Sequence, residues 1–214
     1  MTETTLILAG TAAFVGFLHT LVGPDHYLPF IVLSKARKWS LSKTMSITFL
    51  CGIGHVLSSV ILGLLGAAGV LALEKVEIIE SFRGTLAAQA LVVFGVSYCI
   101  WGLIHAYKNK HHHHTHLSDK KILTTWILFT VFVLGPCEPL IPLIMYPAME
   151  STPLSVGIVA AVFSLVTVGT MMCVVLISSY GIRLINLHIL ERFSHALAGA
   201  AIALSGLAIL FLGL

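Results

Sequence analysis

His19, Asp25 and His26 lie in the segment HTLVGPDHYLPF, residues 19–30, within a run that is otherwise apolar. Two imidazoles and a carboxylate around a Gly-Pro step are a costly set to place in lipid. An acid at the bilayer centre costs about 3 kcal/mol on insertion scales, so intramembrane ionisable groups are functional candidates by default. His26 follows His19 by two helical turns, which puts both rings on one side if the kink between them is modest. A related segment, GPCEPLIPLI at 135–144, sets Cys137 and Glu138 where GPDHYLPFI at 23–31 has Asp25 and His26. His55, in GIGHVLSS, adds a third imidazole, with Ser58 and Ser59 one turn further on. Imidazole, thiolate and carboxylate together suit nickel, cobalt or zinc, whereas calcium and magnesium take oxygen cages. The candidate metal ligands are His19, Asp25, His26, His55, Cys137 and Glu138, assisted by the carbonyls that a helix break at Gly23-Pro24 sets free. Each residue also has a plainer role open to it. Asp25 suits the cap of the following half-helix, Glu138 a protonated core position, and His55 an interhelical hydrogen bond. The pairing of two similar segments favours ligation.

These groups must be positioned by membrane helices. The chain has 214 residues, of which 57% are hydrophobic and 10% charged, and its mean hydropathy is +1.00. Soluble domains carry about a quarter charged residues, so the composition specifies an all-α polytopic membrane protein and excludes soluble enzymes and nucleic-acid binders. Apolar runs cover roughly 5–34, 44–73, 84–106, 122–148, 154–182 and 194–214, six candidate spans at about 20 residues per crossing. The acidic start MTETT marks the first run as a retained helix. Gly23-Pro24 breaks that run, and Pro136, Pro139 and Pro142 break the fourth. Lys35, Arg37, Lys38, Lys43, Lys108, Lys110, Lys120, Lys121, Arg183 and Arg192 fall on one side, with only Lys75 and Arg83 on the other. The positive-inside rule then places both termini outside and the three basic loops in the cytoplasm. Because the Gly-Pro segments recur three spans apart, the expected plan is two inverted three-helix repeats, residues 1–107 and 122–214, joined by a loop at 108–121.

That loop, KNKHHHHTHLSDKK, holds five of the eleven histidines, a composition suited to gathering metal. His105, His188 and His195 fall near the cytoplasmic ends of spans and read as interfacial. Cys51, Cys99 and Cys173 read as small packing residues.

On HTLVGPDH, GHVLSS and the His-rich loop, the chain resembles the nickel/cobalt transporter family, in particular its small six-span urease-accessory-type members. The resemblance implies a permease for Ni²⁺ or Co²⁺ with His19, Asp25, His26 and His55 as ligands. One departure is the five residues between His19 and Asp25-His26, where the family signature has four. The plan is also similar to the thiol-disulfide carriers of cytochrome c maturation, but those use a cysteine in each half, and here Asp25 faces Cys137. A metal-handling accessory protein that does not transport is the third class. The expectation is therefore a non-enzymatic secondary transporter of the bacterial inner membrane. Its substrate is a divalent transition metal (Ni, Co or Zn), with no permanent cofactor. Protons are the plausible coupling ion, nucleic acid is no partner, and a homo-oligomer is allowed.

Overall fold

The computed structural model describes residues 3–69, 72–108, 119–135, 137–150, 153–184 and 191–212, with side chains for all of these except 119–124, 146–150, 183–184 and 191. Their regular elements are helical: α1 (Glu3–Val22), α2 (Leu28–Ala36), α3 (Leu41–Ala67), α4 (Leu73–Lys108), α5 (Asp119–Leu134), α6 (Leu140–Glu150), α7 (Pro153–Leu184) and α8 (Ser194–Leu212), with 3₁₀ turns at Pro24–His26 and Glu191–Phe193. Among the described residues, five helices are long and apolar enough to cross a membrane: α1, α3, α4, α7 and α8. The run at 122–148 is divided between α5 and α6. At 1.5 Å per residue neither reaches the roughly 30 Å of a bilayer core alone. Phe82, Leu165, Ile177 and Phe211 are more than half exposed, as the lipid-facing side chains of an integral membrane protein must be.

Both expected breaks occur, and each has a local cause. Gly23 N–H still donates to His19 O at 3.1 Å, but Pro24 has no donor and the chain tightens into a 3₁₀ turn. Pro29 then sits near the start of α2, where a missing N–H costs nothing. At the second break Gly135 N–H donates to Val131 O at 2.9 Å, and Leu140 N–H to Cys137 O at 2.9 Å as α6 begins. Pro136 lies outside the described residues. α2 ends in a Schellman turn, with Trp39 N–H on Ser34 O and Lys38 N–H on Lys35 O. Lys38 takes the left-handed position there, at φ 51°. Ser40 Oγ then accepts from Lys43 N–H to cap α3.

Small residues set the packing. α1 crosses α7 where Gly16 meets Phe163 and Thr167, and α3 crosses α7 where Gly52 meets Met171. α3 also packs on α5 and α6, and α2 on α7 and α8. The most extensive contact is α4 along α8. Gly95 and Gly102 of α4 and Gly199 of α8 each face the other helix's backbone, so the main chains touch directly there, and Gly206 of α8 meets Ala88 O with Leu91 and Val92 of α4. The small-residue pattern around Gly199 and Ala203 thus serves packing within this bundle.

Candidate metal centre

Three of the proposed ligands converge. His19 ends α1, His26 closes the 3₁₀ turn, and His55 stands midway along α3. One ring nitrogen from each lies within 4.8 Å of the others, with His26 and His55 buried and His19 partly so. Hydrogen bonds to the rings assign their tautomers. His26 Nδ1 is 3.1 Å from Gly23 O and 3.2 Å from Asp25 Oδ1, both acceptors, so Nδ1 carries the proton. His55 Nδ1 is 3.3 Å from Phe132 O and is likewise the donor. With Nδ1 of both rings turned to acceptors, the two Nε2 atoms face each other at 3.3 Å. That spacing suits an N–H···N hydrogen bond when one Nε2 is protonated, and equally a metal ion that replaces the proton. A tetrahedral metal with bonds of about 2.0–2.1 Å holds its nitrogens about 3.4 Å apart.

Glycine makes room for both rings. A Cβ on Gly23 would lie 2.6 Å from His26 Nδ1, and one on Gly135 would lie 3.1 Å from His55 Nδ1. The glycine of each Gly-Pro step therefore lets backbone approach an imidazole, a role separate from breaking a helix.

The remaining candidates divide. Cys137 is buried, with Sγ 3.7 Å from His19 Nε2, and its N–H donates to Ser59 Oγ at 3.2 Å. Asp25 touches the cluster through His26 and orients that ring. Outer-shell partners of metal-bound histidines are worth about 10–100-fold in affinity, so if the cluster holds a divalent metal, Asp25→Asn is expected to weaken that binding about tenfold, as read by calorimetric titration. Glu138 is exposed and lines the same cavity, of about 290 Å³, as His19, Asp25, His26 and His55, with Ala88 and Leu91 of α4 on its wall. It is outside the histidine cluster. Several carbonyls freed at the first break are already engaged: Leu21 O by Tyr27 Oη, and Gly23 O by the backbone N–H and Nδ1 of His26.

Other titratable groups stand elsewhere. His195 Nδ1 accepts from Tyr98 Oη at 2.8 Å, Tyr98 accepts from Arg37 Nε at 3.2 Å, and His105 stacks on Trp101. All four cysteines are free. His188 and the His-rich tract at 111–116 lie outside the described residues.

The pair Glu80 and Arg83 is not apparent from the sequence as part of this region. Arg83 reads as a loop residue because the apolar run begins after it, yet α4 starts at Leu73 and Arg83 is inside the helix, bonded to the buried Glu80 at 2.8 Å. The available signal was the opposite charges at i and i+3, a spacing that pairs side chains on a helix.

Comparison with known protein families, curated proteins and solved structures finds no match to this chain.

Proposed function

We propose that this protein is a six-span secondary transporter for a divalent transition metal, nickel or cobalt first, as its resemblance to the nickel/cobalt transporter family implies. The observation that carries the reading is the 3.3 Å approach of His26 Nε2 and His55 Nε2, with each Nδ1 proton committed elsewhere. A metal that displaces the shared proton would find both nitrogens already converged, and the cavity beside the pair offers access. Its depth suits a transporter, since His55 is at the middle of a helix long enough to span.

Inverted halves are supported by the contacts. Exchanging α1, α2, α3 and α4 for α5, α6, α7 and α8 turns the α1–α7 contact into α5–α3, α2–α7 into α6–α3, and α2–α3 into α6–α7. All of these occur. The α3–α7 and α4–α8 pairs map onto themselves, and the Gly23–His19 and Gly135–Val131 bonds are counterparts. In this plan α5 and α6 together make the remaining span, both termini are outside, and the His-rich loop gathers metal in the cytoplasm. Imidazoles and thiols shed protons to bind metal, which suits proton-linked movement. Cys137 faces His19 rather than a second thiol, so the dithiol-carrier alternative gains nothing from its surroundings.

The test is metal flux into proteoliposomes loaded with a Ni²⁺-responsive dye, repeated with Co²⁺ and Zn²⁺. The wild-type chain is expected to give saturable flux, and His55→Ala none above empty vesicles. Equal flux through both would remove the site assignment, and no wild-type flux for any of the three ions would remove the transport reading.

A further inference from the structure

Arg83 is tied to three places at once. Its Nη1 donates to Glu80 Oε2 at 2.8 Å, and its Nη2 donates to Ser58 Oγ at 2.6 Å and to Val133 O at 2.7 Å. These partners belong to α4, α3 and α5. The Arg83 side chain is only 15% exposed and that of Glu80 1% exposed, so the pair is well shielded from bulk water. An ion pair at this depth is retained at a desolvation cost that surface pairs never meet, and its placement gives a reason.

The two groups that Arg83 grips on α3 and α5 adjoin the two halves of the His55 hydrogen bond. Ser58 Oγ donates to His55 O at 2.7 Å, which fixes the backbone that carries the ring. Val133 follows Phe132, whose carbonyl takes the His55 Nδ1 proton. Gly135, against the same ring, is two residues further on. One planar fork therefore spans the joint between α3 and the end of α5 where His55 is oriented, a geometry that a lysine's point charge does not reproduce. We infer that Arg83, held by Glu80, is a positioning residue for the metal ligand His55, locking it in the tautomer that presents Nε2. The inference rests on the metal-site reading above and adds to it a residue that does not touch the metal.

The test uses the full chain with the five histidines at 111–114 and 116 exchanged for serine, so that only the central site is read. Two measurements are made on the parent and on Arg83→Met/Glu80→Gln, which removes both charges together and leaves neither unpaired. The first is Ni²⁺ affinity by calorimetry. The second is the ¹⁵N spectrum of labelled histidine in the metal-free protein, which reports the His55 tautomer directly. The double variant is expected to bind Ni²⁺ at least about tenfold more weakly, the scale of outer-shell partners, and to lose the pure Nδ1–H signal of His55. Arg83→Lys, which keeps the charge without the fork, is expected to fall between the two, and it stands in for the double variant should that fail to fold. Parent-like affinity together with a parent-like His55 spectrum in the variant overturns the inference. A parent that binds no Ni²⁺ overturns the metal reading instead, while the His55 spectrum still decides whether Arg83 positions the ring.

Discussion

Replacing His26 with alanine is expected to lower Ni²⁺ affinity at the central site by about 100-fold or more, at or above the upper end of the 10–100-fold typical of outer-shell changes. Two effects combine. One lone pair of the facing Nε2 pair disappears, and with it the partner that sets the 3.3 Å spacing. Asp25 also loses the Nδ1 proton it holds, while Gly23 O keeps only the backbone N–H of residue 26. Calorimetry with the 111–116 histidines exchanged for serine checks the size of the loss. Affinity in the parent should also fall as pH is lowered, because protons and metal compete for the same imidazole lone pairs. His26→Ala should flatten that dependence along with the binding. Affinity within about threefold of the parent, far short of the 10–100-fold of even an outer-shell change, would mean that His26 is no ligand.

Exchanging Gly199 for leucine is expected to be the most damaging change to the fold. The volume a Cβ would need there is filled by backbone atoms of Cys99 and Gly95. Backbone in a helix cannot rotate aside as a side chain can, so α4 and α8 must separate along their length. Overpacking of a tight interior costs about 1–3 kcal/mol when side chains can adjust. With main chain as the obstacle, the upper end of that range or more is expected, read as a fall in unfolding midpoint and loss of a monodisperse peak in detergent. Gly169→Leu is the control. It is in α7, where an added Cβ would meet nothing within 4 Å. The change should leave the midpoint as it is or raise it slightly, since leucine is the better helix former.

The legible parts of this molecule are those where a residue type conflicts with its surroundings. Histidines 19, 26 and 55 are visible because imidazoles are out of place in apolar runs, and the structure brings them within 4.8 Å. The Gly-Pro steps mark both breaks because proline withholds a donor. What stays hidden depends on direction. Cys137 and Glu138 are neighbours in sequence, but one is buried beside His19 and the other is exposed on the cavity wall, since a turn between helices sends adjacent side chains apart. Arg83 is hidden for another reason. Charges at the margin of an apolar run look like loop, whereas α4 runs from Leu73 through them and Arg83 is tied to Ser58 and Val133 by bonds no local pattern announces. The glycines around Gly199 announce close packing, but no local pattern names α4 as the partner.

On the transport reading proposed above, the crowding of Gly23 and Gly135 against the two rings bears on how an ion would leave. Backbone lies against the Nδ1 side of each imidazole, so on that reading the Nε2 atoms meet the ion and the broken segments form the floor beneath it. The carbonyls of Gly23 and Phe132 that strengthen the histidines as ligands belong to those segments. Shifting either segment to open a passage beneath the ion withdraws an acceptor from a ring, and a histidine without that acceptor is a weaker base toward metal. Unlatching the floor and loosening the grip are one displacement of the same few atoms.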